Sequence, residues 1–208
     1  MDSRPDPELS LRERKKRETR QRISDIATDL IGKRGFDAVT VAEIARAAGV
    51  SPMTVFNYFP RKEDLFLDRI PEAADLFASA IRDRAPGEPP LAALRRLALR
   101  LLEERHPLGG VGDTFADFWR TVAASSALRA RAREGVEEIE AALAAAFGEA
   151  GVADPELSAA LTMAAYRTVF VASVRRLLAG DPVAEVARDH RHRLETAFDA
   201  LERAGLDG

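Results

Sequence analysis

Residues 51–58 carry side chains that could read double-stranded DNA. The hydroxyl of Thr54 and the amide of Asn57 can both hydrogen-bond to base edges in a major groove. If the segment is helical, these two residues share one face with Pro52, Met53 and Tyr58. That face is small and polar enough to enter a major groove. Such a face is typical of the second helix of a helix-turn-helix. An ordinary helical hairpin has the same spacing, so this pattern alone leaves both structures open.

The preceding residues predict the element that would hold this face in place. Thr40 followed by Glu43 is a capping box, which starts a short helix at about 41–48. Gly49 ends that helix, and Ser51 is the N-cap of the next one. We expect the two helices to pack through their apolar sides: Ile44, Ala45 and Ala48 against Val50, Val55 and Phe59.

The charge of the chain is unevenly distributed. Lys and Arg number 31 against 34 Asp and Glu, which gives a net charge of −3. Residues 1–70 carry +2 and residues 71–208 carry −5. Within Arg12–Arg22, seven basic residues stand against two acidic ones. Such a segment is usually a solvated helix face, but beside a helix-turn-helix pattern we interpret it as a contact with DNA.

The sequence offers little for catalysis or for a metal site. It has no cysteine, and His190 and His192 would point about 200° apart on a helix. His106 has only nearby acidic residues as possible co-ligands. Gly109–Gly112 resembles half of a phosphate loop but lacks the strand before it and the Lys-Ser/Thr after it. Ser125–Ser126 is better explained as a helix cap. We therefore predict no catalytic residue, no metal ligand and no cofactor.

The spacing of apolar residues predicts an all-α chain. Ala, Leu, Arg and Glu dominate, and no β-branched run alternates with polar residues over the length of a strand. Glycine and proline breaks place the helices at about 9–34, 41–48, 52–58, 62–83, 90–105, 113–123, 127–150, 155–179 and 183–204. Pro71 would lie inside the fourth helix and could kink it.

Several short motifs stand in one continuous order within residues 15–66. They are Thr19-Arg20, Gly35-Phe36, Thr40-Val41, Ile44-Ala45, Ala48-Gly49-Val50-Ser51, Thr54-Val55-Phe56-Asn57-Tyr58-Phe59-Pro60 and Lys62-Glu63-Asp64-Leu65. Together they resemble the DNA-binding domain of the TetR family of bacterial transcriptional regulators. The resemblance implies about nine helices, three for DNA binding and six for ligand binding and dimerisation.

The resemblance also implies roles for individual residues. Bases would be faced by Pro52, Met53, Thr54 and Asn57, and phosphates would be touched by Thr40, Ser51, Tyr58 and Lys62. The basic segment adds four candidates for DNA contact: Arg14, Lys15, Lys16 and Arg17. The family often has tyrosine where Phe56 stands, and the tyrosine hydroxyl can reach a phosphate. Phe56 cannot donate a hydrogen bond, so this protein would rely on other contacts or use Phe56 for packing.

The expected organisation has three parts. Residues 1–8, which include two prolines, would be a disordered tail. Residues 9–60 would form the helix-turn-helix domain, and residues 61–208 the domain for ligand binding and dimerisation.

Two segments of the larger domain are candidates to line an effector pocket. One contains Phe115, Phe118 and Trp119, and the other contains Met163, Tyr166, Arg167 and Phe170. A plain hydrophobic core has the same spacing, so both interpretations stay open.

Residues 157–174 are nearly apolar, with Arg167 as their only charge. Arg167 would either pair with a carboxylate or bind an anionic group of a ligand. The length would suit a membrane span, but the polar residues of the segment favour a helix buried in a subunit interface. The resemblance implies a homodimer through the helices at about 155–179 and 183–204.

We therefore expect a ligand-responsive, DNA-binding transcriptional regulator. By family habit it would be a repressor that binds a pseudo-palindromic operator as a dimer and is released by a small hydrophobic or amphipathic effector. The alternative is a helical small-molecule-binding protein without specific DNA recognition. The first residues lack the apolar core of a signal peptide, so we expect a cytoplasmic protein.

Overall fold

The computed structural model describes residues 10–112 and 115–205. In this part of the chain there are nine α-helices, a 3₁₀ turn and no β-strand, so the predicted all-α class is confirmed there. The chain divides into two compact units, the first ending at Asp68 and the second beginning at Arg69. The tail predicted at residues 1–8 lies outside the described residues.

The first unit contains three helices, α1 (Leu11–Arg34), α2 (Val41–Ala47) and α3 (Pro52–Tyr58). Capping boxes start α1 and α2, and each satisfies backbone amides that would otherwise lack a partner. A small core of fully buried side chains from all three helices and the following turn holds them together: Ile23, Ala27, Ile31, Ile44, Val55, Phe59 and Leu65.

The segment between α3 and α4 differs from the predicted long helix at about 62–83. Glu63–Leu65 forms a 3₁₀ turn, and α4 (Ile70–Arg82) begins only after a further break. Pro71 therefore lies in the first turn of α4, where its missing N–H is not needed. The expected kink inside the helix is wrong for this reason.

The first unit extends beyond Pro60, where the sequence placed its end. Leu65 and Phe66 are buried. The carboxylate of Asp68 accepts a hydrogen bond from Ser24 Oγ of α1 at 2.6 Å. These contacts attach residues 61–68 to the helix-turn-helix, and the division falls after Asp68.

The second unit continues from α4 with α5 (Pro90–Glu103), α6 (Phe115–Ala124), α7 (Ser126–Glu149), α8 (Pro155–Leu178) and α9 (Val183–Arg203). The start predicted for α6, at residue 113, lies outside the described residues. α7 packs along α4 and α8, and α9 packs along α5 and α8. Their shared core includes Phe77, Ile81, Leu94, Leu97, Leu143, Phe147, Leu194 and Phe198.

α8 is apolar on its outer side as well as on its inner side. Leu157, Leu161 and Val171 are large hydrophobic residues that remain 49%, 40% and 37% exposed. By length and composition α8 could span a membrane, a criterion that core helices of soluble proteins also meet, and 33% of its most apolar stretch is buried in this chain. The outer side of α8 is thus uncovered within the described single chain.

Candidate DNA interface and effector site

α2 and α3 form a helix-turn-helix with the packing that the sequence predicts. Ile44 and Ala45 of α2 are buried, as are Val55 and Phe59 at the far side of the turn. Gly49 makes the turn with φ at +66°, a conformation that side chains with a Cβ rarely adopt. The α3 backbone is therefore fixed to the core through its inner face.

The outer face of α3 is exposed and carries no charged side chain. Pro52, Met53 and Asn57 are exposed, and Met53 keeps 69% of its surface. Thr54 is half-buried, and its hydroxyl shares a 2.8 Å hydrogen bond with the hydroxyl of Ser51, which also caps the Thr54 amide at 3.0 Å. Tyr58 is half-buried. The structure thus brings the base-facing candidates onto one surface.

Phe56 belongs to this exposed face, which sequence reasoning did not establish. Its ring is 46% exposed, so it is not a core residue of the unit. A phenyl ring cannot donate to a phosphate, but its edge can contact the methyl group of thymine. Its spacing of three residues from Met53 was the available signal.

Two predicted phosphate contacts already have partners within the first unit. The Thr40 hydroxyl donates to Glu43 Oε2 at 2.8 Å and accepts from the Glu43 amide at 3.2 Å. Lys62 Nζ donates to the Phe36 carbonyl at 2.6 Å and lies 4.1 Å from the centre of the Phe36 ring. Both residues are held in place, and Lys62 keeps two further N–H groups for an anion.

Glu43 also fixes the charge at the start of α2. Hydrogen bonds from the Thr40 amide and hydroxyl and from Arg34 lower the pKa of Glu43 to about 2. The Arg34–Glu43 contact measures 2.9 Å. The carboxylate is therefore ionised at neutral pH and joins the end of α1 to the start of α2.

The basic segment of α1 separates into free cations and one structural residue. Arg14, Lys15, Lys16 and Arg17 are exposed, and none of them takes part in the ion pairs of the described residues. Arg20 is different, because its guanidinium donates to the Asp68 carbonyl at 3.1 Å and lies 4.7 Å from the centre of the Phe59 ring. The sequence could not separate these roles.

In the second unit, residues from both predicted pocket segments form one aromatic cluster. The ring of Phe170 in α8 lies 5.6 Å from that of Phe115 and 5.3 Å from that of Trp119, both in α6. Phe118 meets Trp119 edge-on at 5.4 Å, and Tyr166 lies 6.4 Å from Phe170. We call these five rings, Phe115, Phe118, Trp119, Tyr166 and Phe170, the aromatic cluster.

The other two predicted pocket residues lie elsewhere. Met163 is buried in the shared core of the second unit. Arg167 is exposed, and no carboxylate pairs with it among the described residues. Of the two roles that the sequence leaves open for Arg167, the pair with a carboxylate is therefore not found among the described residues.

His190 of α9 is a buried polar residue that sequence reasoning treated only as a possible metal ligand. It is fully buried, and its Nδ1 lies 2.8 Å from Ser173 Oγ. Burial lowers the pKa of His190 to about 4, so its ring is neutral at physiological pH. Its Nε2 has no hydrogen-bond partner, and neither has Nε1 of Trp119.

Comparisons with known proteins agree with this arrangement. The family model described as bacterial regulatory proteins, tetR family, matches residues 23–68. The transcriptional regulator TcmR of Streptomyces glaucescens is 33% identical over 137 residues, 64% of this chain and 61% of that protein. AcrR of Shigella flexneri is 36% identical over 93 residues, 41% of each chain. The chain thus aligns with less than two thirds of the length of these relatives.

Solved structures share the fold over most of the chain. FadR of Thermus thermophilus, a repressor in complex with lauroyl-CoA, has a TM-score of 0.54 at 29% identity and covers 88% of this chain and 92% of its own. NalD of Pseudomonas aeruginosa, a repressor of a multidrug efflux pump, has a TM-score of 0.58 at 18% identity and covers 88% and 96%.

The helix-turn-helix of the first unit lies within residues 23–68, which match the tetR family of bacterial regulatory proteins, and the described part of the second unit is helical. The chain is thus similar to members of the TetR family, and the family model covers its helix-turn-helix. This family consists of transcriptional regulators, which are not enzymes.

Proposed function

We propose that the protein is a cytoplasmic, homodimeric repressor that binds a pseudo-palindromic operator and leaves it when a small effector binds. The observation that carries this proposal is the exposed face of α3, held on a buried helix-turn-helix core beside four free cations of α1. The cations would supply affinity that is independent of sequence, and α3 would supply the choice of bases.

The chemistry of α3 points to the kind of base pairs it would read. Asn57 can bond an adenine through its amide, and Met53 and Phe56 offer apolar contacts for thymine methyl groups. α3 has no arginine or lysine, the side chains that most often read guanine. We propose that the base pairs facing α3 are mainly A·T.

The outer side of α8 supports a dimer. Its exposed apolar residues, Leu157, Leu161 and Val171, fall on one stripe together with exposed Ala164 and Thr168. An exposed apolar stripe of this length is typical of an interface between helices. A symmetric dimer would present two α3 helices to two half-sites, which is the reason to expect a pseudo-palindrome.

The aromatic cluster supports control by a small molecule. It connects α6 and α8 to α4, because Phe77 of α4 meets Tyr166 edge-on at 5.3 Å. α4 follows directly after Arg69, which joins it to the first unit along the chain. An effector would release DNA if it bound more tightly to the arrangement of α4 that does not fit the operator.

A mobility-shift assay tests the proposal. The full chain is mixed with a duplex of the pseudo-palindrome upstream of its own gene and with a scrambled duplex of equal composition. We expect a salt-sensitive shift of the first duplex, and an excess of the scrambled duplex should not abolish that shift. A result with no selective shift would leave a helical small-molecule-binding protein as the function. Asn57→Ala should weaken selective binding about tenfold or more, while Ser126→Ala, an exposed polar change at the start of α7, should not.

A further inference from the structure

The aromatic cluster is unusual among the aromatic residues of the second unit because its rings are only half-buried. Phe115, Phe118, Trp119, Tyr166 and Phe170 all keep intermediate exposure. The other phenylalanines of this unit, Phe77, Phe147 and Phe198, are buried in its core. Large aromatic surface that stays accessible marks a place where an apolar partner can bind.

Two polar atoms at this cluster have no hydrogen-bond partner. They are Nε1 of Trp119, which can only donate, and Nε2 of His190. A buried polar group without a partner destabilises a fold by about 1–3 kcal/mol, so each such group requires an explanation.

Both side chains lie near the ring of Phe170. The Trp119 and Phe170 rings are 5.3 Å apart. A Cβ placed on Gly110 would lie 3.3 Å from His190 Nε2 and 3.1 Å from Phe170 Cδ2, so the backbone at Gly110 approaches both the imidazole and the edge of that ring. Gly110 has φ at +82°, and its missing side chain leaves this approach possible.

The hydrogen-bonding capacity of these two nitrogen atoms defines which chemical groups of a ligand they can bind. Ser173 occupies Nδ1 of the neutral His190 ring, so Nε2 either donates or accepts, depending on the tautomer. A hydroxyl group satisfies either tautomer, and a hydroxyl or carbonyl oxygen also accepts from Trp119 Nε1.

The charges around the cluster are not those of a site for anions. Burial lowers the pKa of His190, so its ring carries no charge at neutral pH. Arg167 is exposed, and Arg120 of α6 pairs with Asp117 on the exposed side of that helix. Neither of these two arginines therefore takes part in the cluster itself.

We propose that the effector is an uncharged aromatic molecule carrying a hydroxyl or carbonyl oxygen, which the aromatic cluster stacks against and which Trp119 Nε1 and His190 Nε2 hydrogen-bond. This inference rests on the effector-controlled function proposed above and names the chemical class of that effector. An aliphatic acyl chain would lose the ring contacts, and an aromatic acid would find no cation.

Trp119 is the only tryptophan of the chain, so its fluorescence reports directly on this site. The full chain, without DNA, is titrated with 4-phenylphenol, biphenyl, biphenyl-4-carboxylate and decanol. A saturable change of fluorescence with 4-phenylphenol is expected. Binding of biphenyl should be about tenfold weaker, or about 1.4 kcal/mol, because biphenyl lacks the hydroxyl that forms the hydrogen bond. Equal or tighter binding of biphenyl, the carboxylate or decanol, or no binding of 4-phenylphenol, would overturn the proposal.

Variants at position 190 separate recognition from folding. His190→Asn can keep the bond to Ser173 but lacks an atom at the place of Nε2, whereas His190→Gln can put a polar atom there. We expect about tenfold weaker binding of 4-phenylphenol for His190→Asn, unchanged binding of biphenyl, and recovery in His190→Gln. The matched control is His192→Asn, an exposed histidine of the same helix, which should bind like the wild type.

Circular dichroism of each variant verifies that the helices remain. An equal loss of affinity for 4-phenylphenol and for biphenyl in a folded His190→Asn protein would mean that His190 acts on packing alone. That result would overturn its proposed role. The operator assay is a separate measurement. If 4-phenylphenol binds as expected but the operator complex persists, the ligand class stands and the release mechanism fails.

Discussion

Neutralising the exposed cations of α1 should flatten the salt dependence of operator binding. The variant replaces Arg14, Lys15, Lys16 and Arg17 with glutamine. All four are exposed and outside the ion pairs of the described residues, so the change removes charge without breaking a contact of the fold. Arg20 is left in place, because its guanidinium holds Asp68 and covers Phe59.

Helix geometry sets the size of the expected change. Neighbouring residues of an α-helix point about 100° apart, so about two of four consecutive side chains can face one DNA backbone. Each phosphate contact contributes about 0.9 to the slope of log K against log salt concentration. The variant should therefore lose about 1.8 in slope for each protomer, or about 3.6 for a dimer.

Fluorescence anisotropy of a labelled operator duplex over a series of salt concentrations measures this slope. The control variant replaces Arg100 and Arg133 with glutamine, two exposed arginines of the second unit. It should leave the slope unchanged. A wild-type slope in the α1 variant, or an equal loss per charge in the control, would refute the assignment of these cations to DNA.

Three single positions give further predictions. The second unit should lose stability as the pH falls from 6.5 to about 4, because the lowered pKa of His190 means that the unfolded chain binds the proton first. Thermal unfolding across that range should show the loss in the wild type, and the same slope in His190→Gln would contradict it. Gly49→Val should reduce hydrogen-exchange protection of α2 and α3 by about 1 kcal/mol or more, since its φ is +66°, whereas Gly32→Ala in α1, with open space around it, should not. Leu161→Glu should give folded monomers in size-exclusion chromatography with light scattering, and a persistent dimer would place the interface elsewhere.

Local signals in the sequence were sufficient for the helix-turn-helix. The capping box of Thr40 and Glu43, the cap at Ser51 and the glycine at position 49 act within a few residues, and the structure shows each of them in its predicted place. Their interactions require no distant partner, which is why they could be recognised from spacing alone.

Local signals did not predict where the fourth helix begins. Pro71 was placed within a helix because the apolar spacing continues across it. In the structure residues 63–68 belong to the first unit, with Leu65 and Phe66 buried, and α4 starts afterwards. That packing depends on α1 residues far away in sequence, which periodicity does not contain.

The sequence by itself determined the helical class, the position of the exposed α3 face proposed to read DNA and the presence of a basic segment, since composition, caps and local spacing decide these features. Only the tertiary structure decided which cations are free, that Arg167 is exposed, and that α6, α8 and α9 bring a tryptophan and a buried histidine around one phenylalanine ring. These properties depend on which side chains meet across helices far apart in the chain. A helical repeat tells where a side chain points on its own helix, but not which residue of another helix it meets.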